Sequence, residues 1–187
     1  MAHRVCPWWL GYFLASPIRR LFENPAGVVA PYVGEGMIVL EPGPGMGFFT
    51  LELARLVGPR GHVIAVDVQT RMLDGLKRRA AKAGLLSRID ARLAAPDSLG
   101  IADVSQVDFV LAFAVVHELP APESFFVEVA RALKPGGTLL LAEPTGHVKT
   151  ALFEQEMQIA ARAGLAGTAR PSIRRCHAAL LTKPTPP

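Results

Sequence analysis

Leu40-Glu41-Pro42-Gly43-Pro44-Gly45-Met46-Gly47 decides the reading of this chain, because a turn this rich in glycine joins two apolar segments of different period. Glycine lets the backbone turn tightly and approach a ligand that any Cβ would push away. Before the turn, Met37 to Leu40 reads as a short buried strand. After it, Phe48, Leu51, Ala54 and Val57 recur at helical spacing, and Gly58-Pro59 ends the run. A dinucleotide fingerprint needs G-x-G-x-x-G, whose third glycine would fall on Phe48. The spacing here is G-x-G-x-G, with an acidic residue, Glu41, two positions before the first glycine.

Outward from this turn, apolar strands and amphipathic helices alternate. His62 to Val66 is a second strand closed by Asp67, and a helix follows with Met72, Leu73, Leu76, Ala80 and Ala83 on one face and Gly84 as its stop. Ile89 to Ala94 and Val107 to Phe113 read as the third and fourth strands. Pro122 opens a helix with Phe125, Phe126, Val129 and Leu133 inward, halted by Lys134 to Gly137. Thr138 to Ala142 is a fifth strand of consecutive apolar residues, as expected where helices cover both faces. Val148 to Ala163 is a last helix ended by Gly164, and strands around Leu165 to Ala169 and His177 to Thr182 close the chain. This order predicts an α/β, parallel, doubly wound sheet with ligands at the carboxyl ends of its strands. Residues 37–187 form the predicted domain, and residues 1–36 precede it as a cap or lid.

Composition agrees with one globular domain. The chain has 187 residues, half of them apolar and 19% charged, so it can bury a sizeable core. Its net charge of +4 would suit an acidic partner, but the basic residues are scattered, as on a solvated surface. Cys6 and Cys176 offer no zinc spacing and a weak disulfide framework, so both are expected as thiols in a cytoplasmic protein. No His/Asp/Glu cluster calls for a metal. Val5 to Ile18 is nearly all apolar behind Arg4, like a signal peptide, but Pro7, Gly11 and Pro17 interrupt it and Arg19-Arg20 close it. It is also short of the ~20 residues a membrane span needs. A covering or docking segment is the expectation.

With its acidic lead residue, the glycine turn resembles the first motif of the class I S-adenosylmethionine-dependent methyltransferases, E/D-x-G-x-G-x-G. Asp67 stands where that family places an acid on the ribose hydroxyls. Val107 to Phe113 followed by His117-Glu118-Leu119 is similar to its fourth motif. Leu133 to Gly137 before a strand ending in Glu143-Pro144 is similar to its closing motif. The resemblance spans residues 37–182. It implies a Rossmann-like, mostly parallel seven-stranded sheet with the last strand antiparallel, and S-adenosylmethionine as cofactor with S-adenosylhomocysteine as product. It further implies that Gly43, Gly45 and Gly47 make room for the methionine part, Glu41 holds its amine, Asp67 binds the ribose, and Val68 lies beside the adenine. Ala112 and Phe113 would sit near the reactive end. Where the family often has an acid on the adenine amino group, this chain reads Ala95-Pro96-Asp97. That role falls to backbone around Ala95 and Pro96, or to Asp97.

Methyl transfer from a sulfonium mainly requires alignment and exclusion of water, and a base only where the acceptor loses a proton. His117 is the candidate base, since its unperturbed pKa permits proton uptake near neutrality. Glu118 and Glu143 are lesser candidates, and a purely packing role for His117 stays open. His3, His62, His147 and His177 show no paired arrangement. Trp8, Trp9, Tyr12 and Arg19 could line an acceptor pocket from the N-terminal segment, or anchor that segment, or form a homodimer contact.

A small-molecule acceptor is the favoured partner. A nucleic-acid methyltransferase is the first alternative, since the glycine motif is similar to that of ribosomal-RNA adenine dimethylases. Enzymes acting on an exocyclic base amine typically carry an N-P-P-Y-type fourth motif, however, and Ala112 to Val116 contains no proline. A nicotinamide oxidoreductase is disfavoured by Phe48. A non-catalytic cofactor binder docked at a membrane or partner through residues 8–22 is the remaining alternative.

Overall fold

A computed structural model describes residues 24–186 of the chain. The expected pocket residues Trp8, Trp9, Tyr12 and Arg19, and most of the expected cap, lie outside that range. The chain divides in sequence between Ala94 and Ala95 into two compact units.

In the first unit, Asn24 caps a short helix α1 (Pro25–Val29) by accepting a hydrogen bond from the Gly27 amide. Three parallel strands follow in the order β3-β2-β1: β1 (Ile38–Pro42), β2 (His62–Asp67) and β3 (Ile89–Leu93). Their register sets Glu41 opposite Ala65 and Asp67 opposite Leu93, so both carboxylates lie at carboxyl ends of strands. Helix α2 (Thr50–Leu56) buries Leu51, Leu53 and Ala54. Helix α3 (Thr70–Lys82) buries Met72, Leu73, Leu76 and Ala80, the face its periodicity predicts. Leu73 and Leu76 pack on Ala65 of β2 with Ile89 and Ala91 of β3 beside them.

In the second unit, β4 (Val107–Phe113) and β5 (Leu133–Pro144) are parallel, with helix α4 (Pro122–Ala132) between them in sequence. Helix α5 (Thr150–Arg162) leads to β6 (Ala166–Ala169) and β7 (Cys176–Thr182). β7 runs antiparallel to both β5 and β6, in the order β4-β5-β7-β6. The strands of both units belong to one seven-stranded mixed sheet, Rossmann-like and mostly parallel, with the last strand reversed as expected.

β5 is longer than the run Thr138 to Ala142. It begins at Leu133, which pairs with Val107 before a register shift carries the ladder to Phe109 and Thr138. The segment Pro135 to Gly137 is therefore a bulge inside a strand rather than a stop before one. A Cβ on Gly137 would lie 2.9 Å from the carbonyl oxygens of Lys134 and Val107, which is why glycine stands there. Among the described residues no helix is long and apolar enough to cross a membrane.

Candidate functional site

The glycine turn is a built structure. Gly43 (φ 68°), Gly45 (φ 54°) and Gly47 (φ 85°) all occupy left-handed backbone that other residues adopt only with strain. Gly43 donates to the Val66 carbonyl at 2.9 Å and Gly47 to that of Pro44 at 2.9 Å. The turn is seated on α3, where Gly75 leaves room for Met46, and Arg79 donates to the Met46 carbonyl. Gly47 packs so closely that a Cβ there would come within 2.4 Å of Leu76 Cδ1. Gly45 differs. A Cβ built on it meets nothing within 4 Å, so this glycine faces open space.

Two carboxylates flank the turn. Asp67, at the end of β2, accepts from the Gly45 amide through Oδ2 at 3.2 Å and from the Gln69 amide through Oδ1 at 2.9 Å. An ionised carboxylate has about four lone-pair sites and can accept from several donors at once. Glu41, at the end of β1, is 3% exposed, and its Oε2 has no hydrogen-bond partner among the described residues. Burial pushes its carboxyl up to about 8; the nearby Thr50 hydroxyl works the other way, and the charge of Asp67 adds to the rise. Thr50 Oγ1 is likewise buried without a partner among the described residues. Two buried oxygens without partners among the described residues are a cost that a ligand with donors would remove.

The other expected cofactor contacts are placed as follows. Val68 is 38% exposed just past Asp67, a setting in which a flat apolar ring could lie on it. The Ala94 amide donates to the Asp67 carbonyl, continuing the strand pairing. Ala95, Pro96 and Asp97 are exposed. Beyond them Glu128 of α4 accepts from the Leu99 amide at 3.1 Å and from Ser98 Oγ at 3.3 Å, fixing the loop. Ala112 is fully buried inside β4, whereas Phe113 is half-buried at the strand's end.

His117 lies in a 3-10 turn, Val116–Glu118, shortly after β4. Ala114, held in left-handed backbone at φ 55°, donates to the Ala142 carbonyl at 2.8 Å and redirects the chain after the strand. Glu143, fully buried on β5, then accepts twice from this turn: from the Val116 amide through Oε1 at 2.8 Å, and from His117 Nδ1 through Oε2. Glu156 of α5 is 3% exposed and its Oε2 has no partner among the described residues. Burial, then the charge of Glu143, raises its carboxyl to about 8, with His117 working against the rise. Burial disfavours the charged form of His117, yet the hydrogen bond and charge of Glu143, with Glu118 and Glu156, outweigh it and raise the pKa above the usual histidine value.

Two corrections follow. His147 is not isolated: its ring meets that of His117 edge to face, with centroids 5.7 Å apart. His177 stacks on Phe153 at 5.5 Å. Both pairings form only when β5, α5 and β7 come together, so spacing along the chain hides them. Glu156 was missed altogether, though its signal was available. It falls with Phe153 and Ala160 on the buried face of α5, where a carboxylate breaks the apolar stripe. Thr50, the fully buried first residue of α2, carried no comparable signal.

Comparison with known proteins agrees with this geometry. Residues 40–141 match the family described as methyltransferase domain. An arsenite methyltransferase of Halobacterium salinarum is 34% identical over 73% of this chain and 33% of its own length. A ubiquinone/menaquinone biosynthesis C-methyltransferase of Vibrio vulnificus is 29% identical over 58% of this chain and 41% of its own. The chain thus spans between a third and two-fifths of the length of these curated relatives. Among solved structures, a SAM-dependent methyltransferase from Aquifex aeolicus aligns with a TM-score of 0.83 at 25% identity, over 96% of this chain and 100% of that one. With more than half of its residues inside the family match, the chain belongs to the methyltransferase domain family.

Proposed function

We propose that this chain binds S-adenosylmethionine at the turn Glu41 to Gly47 and transfers its methyl group to a small-molecule acceptor, leaving S-adenosylhomocysteine. The observation that carries the reading is the buried, unsatisfied Glu41 carboxyl beside an open Gly45 and the Asp67 carboxylate. The cofactor supplies a methyl group on a positively charged sulfur, already activated for displacement.

The chain's own residues do the rest. Gly45 admits the methionine part against bare backbone, and Glu41 accepts from its ammonium group. Asp67 accepts from the ribose hydroxyls, and Val68 covers one face of the adenine. Backbone around Ala95 and Pro96, or the Asp97 carboxylate, meets the adenine edge. Ala112 and Phe113 border the reacting end, and His117 accepts the acceptor's proton. Trp8, Trp9, Tyr12 and Arg19 are the candidate acceptor contacts from the N-terminal segment. A small molecule is favoured over nucleic acid because the segment at the end of β4, Ala112 to Val116, lacks the proline pair that holds a flipped base. The relatives named for arsenite and quinone methylation also act on small molecules. The two cysteines remain thiols in a cytoplasmic protein, and a homodimer is compatible with this arrangement.

Calorimetry of the full chain against S-adenosylmethionine and against NAD tests the proposal. Binding of the first and not the second is the expected result. Binding of the nicotinamide alone would refute it.

A further inference from the structure

Outside the glycine turn, the densest set of buried ionisable groups in the described residues is His117, Glu143 and Glu156, and its geometry is specific. Glu143 Oε1 takes the Val116 amide and Oε2 takes His117 Nδ1, so this carboxylate is held from two sides by donors of the turn that carries the histidine. An ionised carboxylate accepts on both oxygens, so with Glu143 charged Nδ1 carries the hydrogen of that bond. The second ring nitrogen, Nε2, has no hydrogen-bond partner among the described residues. In the neutral ring it holds a lone pair. Glu156 enters from α5 with an unpartnered, fully buried Oε2. Two carboxyl groups this enclosed cannot both be charged cheaply, and Glu143 is the one with two donors.

We propose that Glu143 is the positioning residue for His117 and locks the ring with Nδ1 protonated and Nε2 as base. The chain then acts on acceptors whose methylated atom surrenders a proton, such as a phenol, enol, thiol or carbon acid, rather than on proton-free acceptors such as tertiary amines. This rests on the methyltransferase reading above. In the step it implies, the acceptor's X–H bond breaks and its proton goes to Nε2. The electron pair left on X forms the new X–CH3 bond, and the pair of the broken donor bond stays on the departing atom of the methyl donor. The raised pKa values of His117 and Glu156 agree with this division of charge. The groups acting on the ring are Glu143 from β5, Glu118 from its own turn, Glu156 from α5, and the ring of His147 from the β5–α5 connection.

The test is long-range proton–nitrogen NMR of the histidine rings in the full-length chain, titrated with pH and followed without any acceptor. In the wild type the neutral His117 ring should be the Nδ1–H tautomer, with a midpoint above that of an ordinary histidine. Glu143→Gln should lower that midpoint. An Nε2–H tautomer in the wild type overturns the proposal and requires no variant to fold. So does an unmoved midpoint in folded Glu143→Gln. Calorimetry with S-adenosylhomocysteine on the same samples separates the two levels. If the wild type binds it and the ring has the wrong tautomer, only the positioning role falls. If the wild type does not bind it, the methyltransferase reading falls and the acceptor class falls with it.

Discussion

Glu41 is the residue on which cofactor binding should leave its clearest mark. Its carboxyl, raised to about 8 by burial, holds a proton at neutral pH in the free protein. Pairing with an ammonium group favours the carboxylate, so binding should expel that proton. Calorimetry of S-adenosylhomocysteine binding at pH 7, in buffers of different ionisation heat, should show proton release and an affinity that grows from pH 6 toward pH 8. Proton uptake, or no exchange, would separate Glu41 from the ligand. Asp67 acts through hydrogen bonds to a charged group, and Asp67→Ala should weaken S-adenosylhomocysteine binding by ~1.5–3 kcal/mol. Unchanged affinity in the folded variant would place the ribose elsewhere. Both residues were legible from sequence, because an acid two positions before a glycine turn and an acid ending the next strand are patterns of spacing. The Glu143–His117 bond was not. Its partners are 26 residues apart and meet only through β4–β5 pairing.

At the level of elements, the glycine turn and α3 are one structure, and the glycines have different tasks. Alanine at Gly45 or Gly47 meets left-handed backbone, at ~1–2 kcal/mol each. Gly47→Ala must in addition displace Leu76, whereas Gly45→Ala meets nothing. Chemical denaturation should therefore find Gly47→Ala the less stable of the two by about 1 kcal/mol or more. Cofactor affinity should fall more steeply in Gly45→Ala than its stability loss explains, since its new methyl group occupies the open side of the turn. Equal stabilities, or a Gly45→Ala variant that binds normally, would contradict the assignment. Among the described residues, the apolar periodicities placed every strand and every α-helix except α1, which is too short to show a period. They erred at β5, where Pro135 to Gly137 has the composition of a stop and the structure of a bulge. Gly75 inside α3 was a further signal, since a helix-interior glycine is destabilising unless something packs against it, here Met46.

For the whole molecule, the two buried carboxyls link stability to pH in a direction opposite to the usual one. Glu41 and Glu156 have folded-state pKa values raised from 4.5 to about 8. Their contribution is fully present below the unfolded value and is lost as pH rises through the folded one, with each pKa unit worth ~1.4 kcal/mol for a fully buried group. Glu41→Gln copies the protonated side chain. Its melting temperature should match the wild type near pH 5 and exceed it increasingly up to pH 8–9, as read by scanning calorimetry. A constant difference across that range would mean that Glu41 is ionised throughout. The fold class could be read because strand–helix alternation survives in composition, whereas the state of a buried carboxyl depends on the packing of every layer around it.

The decisive measurement is a crystal structure of the chain grown with S-adenosylhomocysteine. The expected result has the ligand's amino group at Glu41, its backbone-facing side on Gly45, and both ribose hydroxyls within hydrogen-bond distance of Asp67. A ligand bound elsewhere, with Glu41 Oε2 still unpartnered and the ribose away from Asp67, would contradict the proposed function.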